Sequence, residues 1–351
     1  MQLLIVTQKI DKNDDNLGFF HSWVEEFAKH YSRIVVIANS VGEHNLPKNV
    51  AVFSLGKERG LGRLRRYYRF WELFSRHYAR SDATFFHMIP EYVLAAAPFL
   101  IFSRKPKALW YVHKSVTTKL KIAERLLDYI FTASELSFRL PSKKVIYTGH
   151  AIDTETFKPA TSHQLPATSL RLLTVGRISP VKDIETIIHA CSILKTNWDR
   201  QWTFSIVGGP LMRRDYEYME SLKKLARENG LEKYIVFHGP RPYSEIPYLY
   251  NDHDIFISMS TTGSIDKTIL EAMSVGLTVI TANESFQSFL PQKYFLERRS
   301  PEFLAERIKL LADENRPNPM LRELVVNTHS LSQTISRIIN HLSPVGIHGS
   351  R

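Results

Sequence analysis

Short apolar runs alternate with amphipathic segments along most of this chain. Residues 3–7 and 33–38 are almost continuously apolar, and residues 19–30 between them place apolar side chains at helical spacing. Continuous apolar runs of this length are typical of parallel strands that are buried on both faces, whereas the helical spacing predicts a helix with one apolar face. The amino-terminal segment therefore predicts a strand–helix–strand unit.

The same alternation continues towards the carboxyl terminus and is interrupted once. Further strands are predicted at 50–55, 83–87, 108–112, 130–133 and 144–147, and then at 170–175, 203–207, 235–238, 255–257 and 278–281. The later helices are predicted at 183–195, 215–229, 268–273, 301–312 and 321–342. Residues 160–169 are rich in Thr, Ser, Pro and His and lack periodicity, which is typical of a linker.

These elements predict an α/β fold with two doubly wound, Rossmann-like domains that face each other across a cleft. The predicted parts are an amino-terminal domain at 1–159, a linker at 160–169, a second domain at 170–320, and a carboxyl-terminal helix at 321–351 that packs back towards the first domain. Ligands of doubly wound sheets bind beyond the carboxyl ends of the strands. Candidate site residues should therefore follow strands.

Composition and charge narrow the class of protein. The 351 residues include 46 Lys and Arg against 35 Asp and Glu, and the formal net charge of +11 predicts an anionic partner: nucleic acid, a membrane surface or a phosphorylated ligand. The single cysteine, Cys191, excludes an internal disulfide and favours a reducing compartment. No signal-peptide pattern is present at the start, and the longest apolar run, 93–102, is too short to span a bilayer and predicts a core helix.

The stretch from 258 to 284 contains the most informative candidate residues. It follows the strand at 255–257, passes through small polar residues, and enters a short helix that Gly276 is placed to end. A helix entered through such a loop offers unpaired N–H groups and a positive dipole end to a phosphate. Glu271, one turn inside this helix, could accept hydrogen bonds from the hydroxyl groups of a ligand such as a ribose.

Three other strand ends in the second domain carry glycine beside polar residues. Gly176 opens a loop in which Arg177 and Lys182 could converge on a pyrophosphate or could be ordinary solvated charges. The next two strand ends are weaker signals, because turns use glycine routinely; they contain Gly208, Gly209, His238 and Gly239. All three signals gain weight because they occur in order at successive strand ends.

The segment from about 170 to 283 resembles the retaining nucleotide-sugar glycosyltransferases of the GT-B architecture, in the group called glycosyltransferase family 4. The matching motifs are the Gly-Arg-x4-Lys of 176–182, the Val-Gly-Gly of 207–209, the His-Gly of 238–239, and the Leu-Glu-Ala-Met of 270–273 followed by Gly276. The resemblance implies a GT-B fold whose first domain binds the acceptor and whose second domain binds a nucleotide-diphosphate sugar. It implies neither a metal nor a further cofactor.

The resemblance also implies roles for individual residues. Arg177 and Lys182 would neutralise the donor diphosphate and stabilise the nucleoside diphosphate as it leaves, and Glu271 would bind the ribose. Backbone N–H groups of the loop from Gly263 to Lys267 would face the phosphate and sugar. The remaining donor-binding residues would be Gly176, Gly208, Gly209, His238, Gly239, Ser264 and Ile265.

The sequence departs from the family pattern at Gly263. The family usually has two glutamates with seven residues between them, and Gly263 stands where the first would be, so the carboxylate expected near the donor sugar is missing. Asp266 could replace it as a catalytic carboxylate. The alternative, favoured because Asp is so common at helix starts, is that Asp266 only caps the following helix.

Candidates in the first domain also follow predicted strands. Gly18 lies in the loop after the first strand, where a doubly wound domain binds ligands. His87 ends the strand at 83–87; it either matches the family's histidine near the donor sugar or is a histidine packed under a loop. His113 and Lys114 are weaker candidates for contact with an acceptor or a phosphate.

The segment from Lys57 to Arg80 interleaves cationic and aromatic residues. At helical spacing it predicts an interfacial helix that binds anionic lipid headgroups, or an ordinary amphipathic helix with its aromatic side chains in the core. Nucleic-acid binding uses similar residues but is not expected here. The residues concerned are Arg63, Arg65, Arg66, Arg69, Arg76 and Arg80 with Tyr67, Tyr68, Phe70, Trp71 and Phe74.

Together these features predict a retaining, metal-independent hexosyltransferase. It would move a sugar from a UDP- or GDP-linked donor to a lipid-linked or cell-envelope glycan during polysaccharide biosynthesis, in the cytoplasm or on the inner face of the cell membrane. Two alternatives stay open. One is a nucleotide-sugar epimerase of the same fold, and the other is a non-catalytic protein that binds nucleotide sugars or nucleic acid.

Overall fold

The computed structural model describes residues 1–160 and 169–343. The chain divides into two units: unit 1 comprises Met1–Ala151 and the chain from His329 onwards, and unit 2 comprises Ile152–Thr328. Except for its first and last residues, the predicted linker at 160–169 lies outside the described residues.

Each unit contains a parallel sheet. The sheet of unit 1 has seven strands in the order β3-β2-β1-β4-β5-β6-β7, and that of unit 2 has five in the order β10-β9-β8-β11-β12. Unit 1 contains β1 Gln2–Ile10, β2 Arg33–Val41, β3 Val50–Ser54, β4 Ala83–His87, β5 Lys107–Trp110, β6 Tyr129–Thr132 and β7 Val145–Tyr147. Unit 2 contains β8 Ser169–Val175, β9 Gln201–Val207, β10 Ile235–Gly239, β11 Ile255–Ser258 and β12 Thr278–Thr281.

Helices connect the strands of both sheets. In chain order they are α1 Phe19–Ala28, α2 Arg63–Tyr78, α3 Pro90–Ala95, α4 Ala97–Leu100, α5 Thr118–Leu126, α6 Ile184–Asn197, α7 Arg213–Glu228, α8 Ile246–Asn251, α9 Lys267–Ser274, α10 Pro301–Leu311, α11 Pro319–His329 and α12 Leu331–Leu342. The strand order reverses beside β1 in unit 1 and beside β8 in unit 2, and ligands of doubly wound sheets bind at such points. The prediction of two doubly wound α/β sheets is confirmed.

Unit 1 ends at Ala151 rather than at the predicted boundary, residue 159. The reason is Phe157, which is fully buried with its ring centroid 5.5 Å from that of Tyr243 and 5.9 Å from that of Tyr250. The carbonyl of Phe157 accepts a hydrogen bond of 2.6 Å from the hydroxyl of Ser274. These contacts hold the segment before the linker in unit 2.

The predicted helix at 321–342 is two helices, because Ser330 between α11 and α12 has an extended backbone (ψ 147°). In α11, the Arg322 guanidinium donates to the Ser274 carbonyl of unit 2 at 2.6 Å. In α12, the Thr334 hydroxyl donates to the Thr148 carbonyl of unit 1 at 2.9 Å. The chain therefore returns to unit 1 at His329 and not at residue 321.

The apolar run at 93–102 forms α3 and α4 rather than one helix. Pro98 lies in the first turn of α4, and its ring and missing N–H do not allow one helix to continue through it. Val93 and Leu100 are buried, as expected of a core segment, whereas Phe102 is 94% exposed. Within the described ranges, no helix is long and apolar enough to cross a bilayer.

Candidate functional site

The predicted donor-site loops of unit 2 meet at the carboxyl ends of its central strands. The Gly176 N–H donates to the Val207 carbonyl at 2.9 Å, and the Gly208 N–H donates to the Gly239 carbonyl at 2.9 Å. The loop after β11 joins them through the Thr261 N–H, which donates to the Val181 carbonyl at 2.8 Å. The structure thus brings together four segments that the sequence suggested separately.

Gly208 allows two of these loops to touch. Its φ of +133° lies in the region that favours glycine, and a Cβ atom at this position would lie 1.9 Å from the carbonyl oxygen of Gly176. No side chain fits at that distance. The close backbone approach at this strand end therefore depends on glycine.

Arg177 follows β8 and is held near a buried carboxylate. Its Nε lies 3.9 Å from Oδ2 of Asp215, a residue with no exposed surface. Asp215 also accepts hydrogen bonds from the backbone N–H groups of Leu211 and Met212 at the start of α7. With a third of its side chain exposed, Arg177 keeps donors available for an anionic ligand.

Lys182 folds back over the same loop and pairs with Asp266. Its Nζ donates to Asp266 Oδ2 at 2.6 Å, and a Cβ atom on Gly176 would lie 3.6 Å from its Cε. The other oxygen of Asp266 accepts from the hydroxyl and N–H of Thr268, at 3.0 and 3.4 Å, and so caps α9. Burial alone would raise the pKa of Asp266, but Lys182 and Thr268 lower it below its usual value.

The helix-cap role expected for Asp266 is thus present, together with an ion pair to Lys182 that the sequence did not suggest. The pair joins residues that are 84 positions apart. Whether Asp266 also replaces the missing glutamate stays a prediction.

The loop between β11 and α9 takes a conformation suited to Gly263. The φ of Gly263 is +63°, in the left-handed region that a glutamate would enter only with strain. The carbonyl of the next residue, Ser264, accepts a hydrogen bond of 2.9 Å from the side chain of Asn283, and the Ile265 side chain is buried. The loop is therefore anchored at both residues that follow the glycine.

Glu271 is buried within unit 2 and is surrounded by donors. Its Oε1 accepts from the Tyr243 hydroxyl and from the Lys267 ammonium, each at 2.9 Å, and its Oε2 lies 3.2 Å from the Tyr250 hydroxyl. The carboxylate is 2% exposed. A carboxylate has about four acceptor positions, so the protein donors leave roughly one for a ligand. The predicted ribose contact stays a proposal.

Lys267 contributes its side chain to this cluster. Its Nζ lies 4.3 Å from the ring centroid of Tyr243 and donates to the hydroxyl of that residue at 2.9 Å. Burial lowers the pKa of Lys267, and Glu271 opposes the shift. Burial and the nearby Glu271 carboxylate raise the pKa values of Tyr243 and Tyr250 well above their usual range. The predicted phosphate contact of the Lys267 backbone stays a prediction.

The strand end after β10 is also tied to its neighbours. The ring of His238 is hydrogen-bonded to the hydroxyl of Ser205 at 3.1 Å, and burial and Arg241 lower its pKa. A Cβ atom on Gly209 would lie 3.4 Å from Pro240, whereas one on Gly239 would meet nothing within 4 Å. Open space beside Gly239 is where this edge of the sheet can admit a ligand.

In unit 1, the predicted site residues lie in three segments: before α1, at the end of β4 and after β5. His87 is 1% exposed, its Nδ1 is hydrogen-bonded to the Thr7 hydroxyl at 3.1 Å, and its ring stacks on Phe20 at 3.9 Å. This is the packed arrangement that the sequence left open as an alternative. Gly18 precedes α1 with an ordinary helical φ of −54°, so that position makes no special demand for glycine.

The other two candidates of unit 1, His113 and Lys114, are exposed in the loop after β5. The His113 Nδ1 accepts a hydrogen bond of 3.3 Å from the Ser115 N–H. They remain predictions of acceptor contact.

The cationic and aromatic segment forms α2, and its aromatic residues divide between core and surface. Phe70 and Phe74 are fully buried, in agreement with an amphipathic core helix. Tyr68 is 77% and Trp71 50% exposed, as an interfacial helix requires. The interfacial interpretation stays a prediction.

Four side chains with structural roles at these loops were missed by the sequence analysis: Asp215, Tyr243, Tyr250 and Asn283. Of these, only Asp215 could have been predicted from the sequence, since an acidic residue at the third position of a helix often accepts backbone hydrogen bonds.

In residues 1–160 and 169–343, no group of three or more His, Cys, Asp or Glu side chains is arranged to hold a metal ion.

Part of the chain is similar to known sequences. Residues 158–326 match the family model described as Glycosyl transferases group 1. The putative colanic acid biosynthesis glycosyltransferase WcaL of Escherichia coli is 29% identical over 152 residues, which are 41% of this chain and 35% of the relative. The D-inositol 3-phosphate glycosyltransferase of Frankia alni is 31% identical over 140 residues, 37% of this chain and 34% of the relative.

A third relative, the amylovoran biosynthesis glycosyltransferase AmsK of Erwinia amylovora, is 30% identical over 152 residues, 41% of this chain and 35% of the relative. The matched part is thus about a third of the length of these relatives.

Solved structures are similar over almost the entire chain. Anabaena HepE in complex with UDP and glucose has a TM-score of 0.75 at 18% identity, covering 98% of this chain and 100% of that one. Sucrose-phosphate synthase from Thermosynechococcus elongatus has a TM-score of 0.77 at 15% identity, covering 97% and 98%. At this identity the similarity concerns the fold, which is the GT-B fold of glycosyltransferases.

Proposed function

We propose that this chain is a retaining glycosyltransferase that moves a sugar from a nucleoside-diphosphate donor to an acceptor hydroxyl. The observation that supports this most directly is the junction of strand-end loops in unit 2, where Arg177 and Lys182 lie on one short loop that is hydrogen-bonded to the loop leading into α9. The match of residues 158–326 to the glycosyltransferase model covers the same segment.

The two cations are suited to a diphosphate because they approach from opposite ends of one loop. Breaking the bond between sugar and diphosphate places negative charge on the leaving phosphate, and fixed cations stabilise that charge as it develops. Arg177 is oriented by Asp215, and Lys182 by Asp266. We propose that binding of the diphosphate draws Lys182 away from Asp266 and needs no metal ion.

The nucleoside would lie across the ends of β9 and β10. Gly239 offers open space for a base, and Glu271 on α9 would accept a hydrogen bond from the ribose. For the ribose to reach Glu271, the Tyr250 hydroxyl would donate to the Thr268 carbonyl, which lies 3.1 Å away, instead of to the carboxylate. The Tyr250 hydroxyl has one proton, so the two bonds are alternatives.

We place the reaction in the assembly of a cell-envelope polysaccharide on the inner face of the cell membrane. Two of the relatives are named as glycosyltransferases of colanic acid and amylovoran biosynthesis, and they support this part of the proposal. Exposed Tyr68, Trp71 and the arginines of α2 suit contact with an anionic membrane surface.

The test begins with thermal unfolding in the presence of UDP, GDP, ADP and their sugars. A ligand that binds only the folded chain raises the midpoint, and the responding nucleotide identifies the donor. The labelled donor is then incubated with and without acceptor lipids. Transfer that requires an acceptor supports the proposal, whereas conversion of the sugar without an acceptor would indicate an epimerase.

Variants connect the activity to the site. Arg177→Ala and Lys182→Ala should each lower turnover by about 100-fold or more, because each removes charge stabilisation of the leaving group. Arg213→Ala is the control, since Arg213 is a cation of the same unit that is 97% exposed. Unchanged turnover in both site variants would refute the proposed role of this loop.

A further inference from the structure

Unit 1 contains two adjoining cavities beside α2. A polar pocket of about 230 Å³ lies at the carboxyl ends of β1 and β2, where Gln8 and Asn39 reach it. An apolar groove of about 500 Å³ runs between α2 and α3 and is lined on the α2 side by Trp71.

 The groove wall is completed by Leu94 and Ala95 of α3, and Arg63, Tyr67 and Glu91 line both cavities. The two therefore form one continuous site with a polar end and an apolar end.

The polar end is built around Arg66. Its Nη1 donates to Asn39 Oδ1 at 2.6 Å, and Asn39 Nδ2 donates in turn to Gln8 Oε1 at 3.1 Å. The Nε of Arg66 is buried and has no hydrogen-bond partner within the described part of the chain. A buried guanidinium N–H without an acceptor is unfavourable, and an anionic oxygen in the pocket would relieve it.

The apolar end is open to solvent and bordered by positive charge. Trp71 is 50% exposed and Tyr68 is 77% exposed along the groove. The guanidinium of Arg63 lies 5.7 Å from the ring centroid of Tyr67. The carboxylate of Glu91 is paired with Lys119 at 2.8 Å. The charged residues that line the two cavities are thus three cations, Arg63, Arg66 and Lys119, and this one carboxylate.

We propose that this site binds one amphiphile, with an anionic phosphate head in the pocket at Arg66 and an aliphatic chain in the groove against Trp71. Charge complementarity selects the head, and the apolar lining selects the chain. The inference rests on the proposed function in one respect: such an amphiphile would be the lipid-linked acceptor. A flat membrane surface would engage every exposed cation and apolar side chain of α2, whereas one bound molecule engages only those that line the cavities.

The experiment measures binding of alkyl phosphates below their critical micelle concentration, by calorimetry on the full chain. Octyl, decyl and dodecyl phosphate should bind progressively more tightly, by up to about fourfold for each methylene that becomes buried. Inorganic phosphate and an uncharged dodecyl maltoside should each bind at least about tenfold more weakly than dodecyl phosphate, because each lacks one of the two contacts.

Two pairs of variants test the location. Arg66→Ala should weaken dodecyl phosphate binding by about tenfold or more, whereas Arg65→Ala, an exposed arginine that lines neither cavity, should leave it within about twofold. Trp71→Ala should weaken binding, whereas Leu64→Ser, at a residue that is 86% exposed outside the groove, should not.

If both variants of each pair lost the same affinity for dodecyl phosphate, the single site would be overturned. Such a result would indicate that α2 binds amphiphiles along its whole exposed surface, as it would bind a membrane. Binding that ignores the charge of the head or the length of the chain would overturn it as well. Binding of a single-stranded RNA oligonucleotide that dodecyl phosphate fails to displace would instead assign the surface to nucleic acid. The thermal-unfolding test with nucleotides is repeated on the parent chain and on the same variants. A normal response to nucleotide without amphiphile binding rejects this inference alone. A parent chain that responds to none of the nucleotides rejects the proposed function.

Discussion

At the scale of single residues, the donor-site loops depend on backbone conformations that side chains would prevent. Gly208 lies where a Cβ atom would overlap the Gly176 carbonyl, and Gly263 has a left-handed φ of +63°. The backbone conformation at Gly263 thus disfavours the glutamate that the family pattern would have at this position. A Gly263→Glu variant would strain the loop as well as add a charge.

We expect Gly208→Ala to lower the free energy of unfolding by about 1–3 kcal/mol more than Gly239→Ala. Both positions have a positive φ, so both variants share the cost of the left-handed backbone. Only the alanine at 208 meets a backbone atom, whereas the one at 239 meets open space. Chemical denaturation of the two variants checks this, and equal losses would show that the loops can separate without cost.

At the scale of the element, α9 joins the two halves of the candidate site. Asp266 caps its first turn and pairs with Lys182 of the loop after β8. Glu271, the proposed ribose contact one turn further, is bonded to Lys267 and two tyrosines. A shift of this short helix would therefore move Asp266 and Glu271 together, and with them the proposed phosphate and ribose contacts.

The pair Asp266→Ser and Asp266→Ala separates the cap from the charge. Serine is also a good N-cap, so Asp266→Ser should stay within about 1 kcal/mol of the parent, whereas Asp266→Ala should lose about 1 kcal/mol more. Both variants free Lys182, so the affinity for the nucleoside diphosphate should rise about two- to fivefold.

Turnover of the donor sugar decides the second role of Asp266. If Asp266 only caps the helix, Asp266→Ser should keep turnover near that of the parent. Loss of turnover by about 100-fold, with nucleotide binding intact, would mean that Asp266 acts in the reaction, either as the carboxylate missing at Gly263 or by orienting Lys182.

At the scale of the whole molecule, the carboxyl-terminal chain is part of unit 1 from His329 onwards, and this first residue is a buried histidine. The Nδ1 of His329 accepts the backbone N–H of His150 at 3.2 Å, so this nitrogen carries no proton. Burial, with His150 and Arg337 nearby, lowers the pKa of His329 to about 3. Protonation would break this bond and place a charge in the interior.

The stability of the chain should therefore fall in acid partly through His329. Between its ordinary pKa of 6.5 and its folded value of about 3, the unfolded chain binds a proton that the folded chain does not. The stabilisation is complete above pH 6.5 and is lost as the pH falls towards 3, with a slope of up to about 1.4 kcal/mol per pH unit.

His329→Gln keeps a hydrogen-bond acceptor but cannot titrate, so the unfolding free energy should depend less steeply on pH across this window. Urea denaturation at a series of pH values measures the slope. His44→Gln, at an exposed histidine, is the control and should leave the slope unchanged. A parent-like slope in His329→Gln would contradict the assignment.

The amino-acid sequence was sufficient for the two sheets and for the order of the donor-site loops. A strand buried on both faces must be apolar throughout, and this requirement is visible in the sequence of β1, β2 and β8 without knowledge of their neighbours. Glycines at successive strand ends can also be recognised in the sequence, since backbone conformations with a positive φ favour glycine. The strands were therefore predicted to within a few residues.

Only the tertiary structure decided which side chains share a partner and where each unit ends. Lys182 and Asp266 are far apart in the chain, and Phe157 joins unit 2 through packing. Glu271 is contacted by Tyr250 of α8 and by Tyr243 just before that helix. Such contacts follow from how elements pack against one another, and no local pattern of apolar and polar residues records them. Packing also decides the two sets of aromatic residues in α2. Their spacing predicted an amphipathic helix, but it did not show which of them border a groove.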